Sequence, residues 1–293
     1  MQLEVLEILS PGLGTTLQDR GRAGWRRFGV PRGGAMDDHA AAWANRLLDN
    51  PFNAPVLELL LQGARLRLLQ KAWVAITGAD AEANVPLWHA NRLDAGDVLE
   101  FPRNRSGVWT YVAVEGGFEG QRWLGSVSAY PRGRLGQSCR AGTILQRSSG
   151  PICELPVGIA GRWLSPSERR QYDTTPTLRV WPAPQWRLFD EAVRKSFFDQ
   201  DWTVTGRSDR VGYRLSGQRL EAGISEIISE ANRVGTIQVP ENGQPIITMR
   251  DGPTVGGYPK LGLIDPADLA WLAQCRPGQR IRCVPIDETR PQL

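Results

Sequence analysis

Lys260 and the glycine turn before it are the residues whose types and spacing most directly suggest chemistry. The run Gly-Gly-Tyr-Pro-Lys at 256–260 follows two β-type runs, at 236–239 and 244–249, which a Pro-Glu-Asn-Gly turn separates. Two adjacent glycines let a backbone approach a ligand or another strand closely, and an ammonium beside them could bind an anion. The alternative interpretation is a tight hairpin with a solvated lysine.

Further polar side chains recur on glycine-rich loops in both halves of the chain. Arginine can bind phosphate or carboxylate, glutamine and tyrosine can hydrogen-bond an amide without carrying charge, and aspartate can transfer a proton or hold magnesium. Such a set suits a polar substrate that contains an amide, together with an anionic partner. The loops carry Thr15, Thr16, Gln18, Asp19, Arg22, Asp37, Thr77, Asp80, Ser208, Asp209, Arg210, Tyr213, Arg214, Glu230, Gln238, Gln244, Tyr258 and Lys260.

Several of these residues also have a purely structural interpretation. Asp19 and Arg22 could form an ion pair within a loop. Asp37 could cap a helix, and the run 208–210 could be an ordinary turn. The residue types alone leave both interpretations open.

Composition excludes several classes of protein. The 293 residues are 41% hydrophobic and 23% charged, with a net charge of +4. No apolar run approaches the roughly 18–20 residues that span a bilayer, and the N-terminus lacks the basic start of a signal peptide. The arginines are scattered and do not alternate with aromatic residues in a groove-like pattern. We therefore expect a cytoplasmic protein with no membrane or nucleic-acid partner.

Known catalytic motifs are missing from the sequence. The four cysteines show no CxxC spacing and only two histidines occur, so we expect free thiols and no zinc site. GxxxxGK[ST], GxGxxG between a strand and a helix, HExxH and GxSxG are all absent. The sequence therefore gives no support for a self-contained ATPase, dehydrogenase, zinc hydrolase or serine hydrolase.

Short β-type runs separated by Gly and Pro turns predict a mainly β fold with a few short helices. Predicted strands occupy 3–9, 25–30, 56–61, 65–69, 73–77, 85–88, 98–101, 109–114, 178–181, 236–239, 244–249 and 280–285. Predicted helices occupy about 38–49, 186–198 and 266–275.

A weak internal repeat predicts two related halves. Val30-Pro31-x-x-Gly34 recurs as Val239-Pro240-x-x-Gly243, and an Asp-Arg pair precedes a Gly-aromatic pair in each half. Residues 151–176 are rich in proline and mixed in polarity, as in a joint. We therefore predict a first half at 1–150, the joint at 151–176 and a second half at 177–293.

Six motifs together resemble one family. They are TTLQDRGRAGWRRFGVPRGGAMD (15–37), TGAD (77–80), YVAVEGG (111–117), SDRVGYRLSG (208–217), IQVPENGQPI (237–246) and GGYPK (256–260). This set resembles the allophanate hydrolase subunit 2 family, also called the 5-oxoprolinase C-subunit family or the biotin-dependent carboxyltransferase family. The resemblance implies two tandem cyclophilin-like β-barrel domains.

The resemblance also implies partners and a reaction. Family members work with a B-type partner protein, which resembles allophanate hydrolase subunit 1, and an A-type protein completes 5-oxoprolinase. That enzyme uses ATP to open the lactam of 5-oxo-L-proline to L-glutamate. We expect ATP to be shared with a partner protein, with magnesium as the candidate ion. In related fusion proteins the same domain pair transfers a carboxyl group from carboxybiotin to urea-like substrates.

Three loops depart from the pattern expected for the family. LGSRST is replaced by the residues at 124–129, SEG by those at 229–231, and D-x-Q-T-T-G-G-Y-P by those at 251–259. Each change removes a polar group or replaces a glycine. These changes could mean a changed substrate or a subunit kept for assembly.

Chemistry and motif membership together select the candidate site. The candidate catalytic residues are Asp209, for a proton or metal ion, and Lys260, for an anion. Candidate substrate-binding residues are Arg210, Tyr213, Arg214, Gln238, Gln244 and Tyr258, with Asp19, Arg22 and Asp37 from the first half. The favoured function is that of the C component of an ATP-dependent 5-oxoprolinase complex. The alternatives are a biotin-dependent carboxyltransferase and a non-catalytic regulatory subunit.

Overall fold

Alternating apolar and polar residues form several strands of this chain. In Ala64–Leu68, the alanine and both leucines are buried and the two arginines between them are exposed, because successive side chains point to opposite faces of a sheet. The computed structural model describes residues 2–137, 139–148, 161–221, 223 and 226–286. Cys153 and residues 151–160 of the predicted joint lie outside the described residues.

The chain divides into two units. The first contains Met1–Ala23 and Gly33–Tyr172, and the second contains Gly24–Arg32 and Asp173–Leu293. Residues 24–32 thus belong to the second unit, although they lie in the first half of the sequence. The halves and joint inferred from the sequence stay a prediction.

The strands of the first unit form two antiparallel sheets in the described part of the chain. They are β1 (Gln2–Pro11), β2 (Thr15–Gln18), β3 (Val56–Leu60), β4 (Ala64–Leu68), β5 (Ala72–Asp80), β6 (Ala90–Leu93), β7 (Val98–Phe101), β8 (Ser106–Val114) and β9 (Ile144–Ser148). One sheet has the order β7-β4-β1-β9 and the other β2-β3-β8-β5-β6. Leu6 and Leu66 of the first sheet share one buried apolar core with Val74 and Val112 of the second.

A closed barrel forms the centre of the second unit. The strands of this unit are β10 (Thr177–Pro182), β11 (Asp201–Val204), β12 (Gly212–Ser216), β13 (Glu230–Ala231), β14 (Thr236–Gln238), β15 (Ile246–Thr248), β16 (Val255–Gly256), β17 (Lys260–Ile264) and β18 (Arg280–Pro285). Seven of them close in the order β10-β17-β14-β15-β12-β11-β18, and only the β10–β18 contact is parallel. Strands β13 and β16 pair with each other as a separate two-stranded ribbon.

Three α-helices occur among the described residues. They are α1 (Asp38–Leu47), α2 (Glu191–Phe198) and α3 (Pro266–Ala273). Single 3-10 turns occur at Arg26–Phe28, Pro131–Gly133, Pro166–Glu168 and Trp186–Leu188. Asp37 caps α1 and Asp265 caps α3, each accepting a 2.9 Å hydrogen bond from a backbone N–H of the first turn. No helix of the described ranges is long and apolar enough to cross a membrane.

The structure confirms the mainly β class with a few short helices, but only part of the predicted architecture. The described strands form a closed barrel in the second unit and two separate sheets in the first, so tandem barrels are not confirmed. Two local predictions are wrong. Residues 25–30 contain a 3-10 turn that ends at Gly29 with φ 79°, and no strand covers 85–88, where Trp88 has φ 60°. A left-handed backbone cannot continue an extended strand.

Candidate functional site

Lys260 is buried at the edge of the barrel and forms an ion pair with a partly exposed carboxylate. It begins β17 and lies opposite Gln238, the last residue of β14. Its Nζ donates a 2.6 Å hydrogen bond to Oε1 of Glu230, and Nε2 of Gln185 donates to the same oxygen at 2.7 Å. The Lys260 side chain is 4% exposed, whereas that of Glu230 is 42% exposed. The group that solvent and ligands can reach is therefore the carboxylate, with the ammonium buried behind it.

Hydrogen bonding keeps this carboxylate ionised. The bond from Lys260, and then the bond from Gln185, lower the pKa of Glu230 from its ordinary value of 4.5. Both bonds go to Oε1, and within the described residues no donor hydrogen-bonds Oε2. Glu230 thus has one oxygen that can accept a proton or a hydrogen bond from a bound molecule.

A second layer of polar side chains lies beside this pair. Thr248 Oγ1 accepts hydrogen bonds from Gln238 Nε2 and Asn232 Nδ2, both at 3.0 Å. A Cβ at Gly256 would lie 2.8 Å from Gln238 Oε1, so a side chain there would have to displace the Gln238 amide, and glycine leaves that amide in place. The glycine pair therefore serves close backbone approach, as its sequence suggests. We call the following six residues the Lys260 cluster: Gln185, Glu230, Asn232, Gln238, Thr248 and Lys260.

Arg210 forms an ion pair within the chain. Its Nε and Nη2 donate to the two carboxylate oxygens of Asp251 at 2.8 and 3.0 Å, and both side chains are largely buried. The backbone N–H of Asp251 also donates to the Arg210 carbonyl at 2.8 Å. The two-pronged face of this guanidinium, which would suit an external anion, is thus directed at Asp251.

Three other predicted residues of the second unit stabilise turns and packing. Asp209 Oδ1 accepts from the backbone N–H groups of residues 211 and 212 at 2.8 and 3.1 Å, which is a turn interaction. Tyr213 is buried and its hydroxyl donates to the Ala273 carbonyl at 2.6 Å. The Gln244 amide makes two hydrogen bonds, of 3.0 and 3.2 Å, with the backbone of Gly217.

The remaining two predicted residues of this unit are accessible. Arg214 is exposed, with its backbone N–H bonded to Ser208 Oγ. Tyr258 is 41% exposed and lines a shallow acidic cavity of about 310 Å³ with Glu226 and Glu241. The structure thus places Lys260 and Gln238 side by side and gives Asp209, Arg210, Tyr213 and Gln244 partners elsewhere in the barrel.

In the first unit, Asp19 and Arg22 hold the loop at 124–129. Asp19 Oδ1 accepts from the hydroxyls of Ser126 and Ser128 at 2.6 Å each, and Oδ2 accepts from the Val127 N–H at 3.0 Å. The buried Arg22 donates to the Ser128 carbonyl. This loop is one of the three that depart from the family pattern, and its two serines fix it to Asp19.

Asp37 belongs to a buried network that the sequence did not reveal. Besides capping α1, it accepts a 2.9 Å hydrogen bond from Tyr172 Oη, and its N–H donates to Tyr111 Oη at 2.7 Å. The Tyr111 hydroxyl donates in turn to Glu58 Oε2 at 2.8 Å. Burial, followed by the charges of Glu58 and Asp37, raises the pKa of Tyr111 well above its ordinary value. The helix-cap interpretation of Asp37 therefore agrees with the structure.

A cavity of about 540 Å³ lies along α1 in the same unit, next to His39, Trp43 and Phe52. Trp43 Nε1 donates to His39 Nε2 at 3.2 Å. Burial is the main cause that lowers the pKa of His39 from its ordinary value. His39 is thus a neutral packing residue at neutral pH.

Sequence reasoning missed most of the partners that make the site. Glu230 is among the polar loop residues noted in the sequence, but it was not selected as a site residue. Gln185 and Asn232 carry no local signal, because their roles depend on contacts that only the fold creates. No group of three or more His, Cys, Asp or Glu side chains in the described ranges could hold a metal ion.

Sequence comparison places the chain among proteins of related function. The family model "Carboxyltransferase domain, subdomain A and B" matches residues 28–285. The chain is 36% identical over 287 residues to the C subunit of 5-oxoprolinase from Escherichia coli, covering 96% of this chain and 91% of that protein. Against the C subunit of 5-oxoprolinase from Haemophilus influenzae the identity is 35% over 289 residues, covering 95% and 90%.

Solved structures show the same similarity. The protein TTHA0988 superposes with a TM-score of 0.85 at 32% identity, covering 96% of this chain and 55% of that one. The Kluyveromyces lactis urea amidolyase gives a TM-score of 0.83 at 26% identity, covering 98% of this chain and 19% of that one. This chain thus spans about half of the first solved protein and a fifth of the second. The resemblance seen in the six motifs is confirmed, and the chain belongs to the family of carboxyltransferase domains with subdomains A and B.

Proposed function

We propose that this chain is the C subunit of an ATP-dependent 5-oxoprolinase complex, which opens the lactam of 5-oxo-L-proline to L-glutamate. The observation that carries the proposal is the 36% identity with the Escherichia coli C subunit along 91% of that protein. Similarity over nearly the full length of a single subunit favours the same role in the same kind of complex.

The Lys260 cluster supplies the groups that lactam opening requires. A lactam is a poor electrophile, and ATP would activate it by phosphorylating its oxygen. Water must then attack the ring carbon, and Glu230 Oε2 can take the proton that this water loses. The ring C–N bond breaks as its nitrogen is protonated, and a second water hydrolyses the resulting acyl phosphate, which releases phosphate and leaves glutamate. Lys260 holds Glu230 in place and ionised, and Gln238 lies beside it with an amide that can hydrogen-bond the substrate. Glu230, in place of Asp209, is thus the candidate for proton transfer.

ATP would reach the site through a partner. The sequence has no phosphate-binding loop motif, so we infer that two partner proteins complete the nucleotide site. They are a B-type protein, which resembles allophanate hydrolase subunit 1, and an A-type protein of the same complex. The described residues offer no cluster suited to a resident magnesium ion, and no step of the proposal uses one.

The second candidate function is carboxyl transfer from carboxybiotin to a urea-like substrate. The family model and the similarity to urea amidolyase, with a TM-score of 0.83, favour it. Both reactions act on an O=C–N group, so the same polar cluster suits either. The 5-oxoprolinase relatives match almost end to end, whereas urea amidolyase is a far longer chain, and this difference favours 5-oxoprolinase.

The deciding experiment is co-expression of this chain with the A-type and B-type 5-oxoprolinase homologues of its source. ADP and glutamate are measured with and without 5-oxo-L-proline, and carboxybiotin consumption is measured in parallel with urea. We expect ADP release that depends on 5-oxo-L-proline. Carboxybiotin consumption alone would establish the second candidate, and neither activity would indicate a regulatory subunit.

A further inference from the structure

The segment Gly24–Arg32 brings an arginine to the Lys260 cluster. Its 3-10 turn, Arg26–Phe28, ends at the left-handed Gly29, and the chain then turns back. Nη2 of Arg26 donates to the backbone carbonyls of Asn232 and Pro253, the latter at 3.3 Å. Asn232 is itself a member of the cluster, so the position of this guanidinium is fixed beside it.

Positive charge is concentrated at this point. Burial, and then repulsion by the guanidinium groups of Arg32 and Arg233, lower the pKa of Arg26 from its ordinary value. Arg26 is half-buried, and Arg233 directly follows Asn232 in the chain. Within the described residues, neither Arg26 nor Arg233 forms an ion pair with a carboxylate.

A guanidinium that is half removed from water is unfavourable without a counter-charge, and in the described chain no carboxylate pairs with Arg26. A bound oxyanion would remove the repulsion and could accept hydrogen bonds from more than one arginine. The carbonyl contacts of Arg26 use Nη2 and keep the group in place, whereas Nη1 is buried and has no hydrogen-bond partner in the described chain, so it can donate to such a ligand.

We propose that Arg26 and Arg233 form a binding site for an oxyanion, a carboxylate or a phosphate, next to the Lys260 cluster. The identity of the anion rests on the proposed function: it is either the carboxylate of the amide substrate or a phosphoryl group delivered from ATP. The site would orient the substrate so that its amide lies toward Glu230.

The test is calorimetric titration of the purified full chain at low ionic strength. Three probes are used: inorganic phosphate, 5-oxo-L-proline, and 2-pyrrolidinone, which has the lactam but no carboxylate. Arg233→Gln is the decisive variant, because no ion pair or side-chain hydrogen bond of the described chain depends on this guanidinium. Arg207→Gln is the matched control, an exposed arginine of the same unit with no ion pair in the described chain.

We expect at least one of the two anions to bind and Arg233→Gln to weaken its binding about tenfold, with Arg207→Gln unchanged. Binding of 5-oxo-L-proline but not 2-pyrrolidinone would identify the substrate carboxylate, and binding of phosphate alone would identify the phosphoryl group. Equal affinities in both variants, or no binding of either anion, would overturn the inference. Because these titrations need no partner protein, loss of anion binding in Arg233→Gln would support the site even if the complex does not turn over 5-oxo-L-proline.

Discussion

The Glu230–Lys260 pair is asymmetric, and this makes a sharp prediction about its two single variants. Glu230→Ala leaves the Lys260 ammonium, whose side chain is only 4% exposed, without its carboxylate. Removing one partner of a buried pair costs about 3–5 kcal/mol, and the partial exposure of this pair puts the expected loss near the lower figure, about 3 kcal/mol. Lys260→Met instead leaves a carboxylate that is 42% exposed and that water can solvate. Its expected loss is about 1 kcal/mol or less.

Chemical denaturation of the two variants at neutral pH measures this difference. Turnover of the assembled complex tests the role of the pair in the reaction, apart from its role in stability. Both variants should lose turnover. Glu230→Ala should lose at least about 100-fold, because a proton acceptor is removed. Lys195→Met is the matched control, since Lys195 also pairs with a carboxylate, that of Asp199, but at an exposed site of the same unit. It should keep its turnover.

Two results would refute the reasoning. Equal stability losses in Glu230→Ala and Lys260→Met, or a greater loss in the latter, would mean that the ammonium is not the buried partner. Turnover of Lys260→Met equal to that of the Lys195→Met control would mean that the pair does not support the reaction.

Three further predictions test other parts of the structure. Gly256→Ala should destabilise the chain by about 1 kcal/mol in urea unfolding, because its Cβ would lie 2.8 Å from Gln238 Oε1 and would displace that buried amide. Tyr111→Phe should lower the free energy of unfolding by about 1–3 kcal/mol, since it removes the buried hydroxyl that accepts from the Asp37 N–H and donates to the Glu58 carboxylate. The folded-state pKa of Glu230 is lowered, so its carboxylate stabilises the fold above the ordinary value of 4.5, and this contribution disappears as pH falls through the folded value. The stability advantage of the native chain over Glu230→Gln should therefore be constant from neutral pH down to the ordinary value of 4.5, and should fall away below it as the pH passes through the lowered folded-state pKa.

Each of these predictions has its own control. Gly206→Ala should be nearly neutral, because nothing lies within 4 Å of a Cβ built there, and a loss equal to that of Gly256→Ala would contradict the steric argument. Tyr258→Phe removes a hydroxyl from a residue that is 41% exposed and should cost less than Tyr111→Phe. A pH-independent difference between the native chain and Glu230→Gln would show that the carboxylate has no special role in stability.

The positions of strands could be predicted from the sequence better than the contacts between side chains. Strands such as Val98–Phe101 and Arg280–Pro285 were predicted with the observed bounds, because their apolar residues alternate and turns flank them. The adjacency of Gln238 and Lys260 required strand register, which a single sequence does not contain. Arg210 was predicted to bind an anion because a guanidinium suits carboxylates and phosphates. Only the fold shows that it pairs with Asp251 of the same chain. Residues 25–30 were predicted as a strand because a sequence does not show which glycine adopts a left-handed backbone, as Gly29 does here.

The contact between Arg26 and Asn232 has a consequence for biosynthesis. The two residues are 206 positions apart, so at about 5–20 residues per second the ribosome releases Arg26 about 10–40 s before its acceptor exists. Throughout that interval the segment Gly24–Arg32 cannot form its native contact with Asn232. The barrel of the second unit can be completed only after residue 285 has been synthesised, and a fragment beginning at residue 173 would lack the segment Gly24–Arg32 of its own unit.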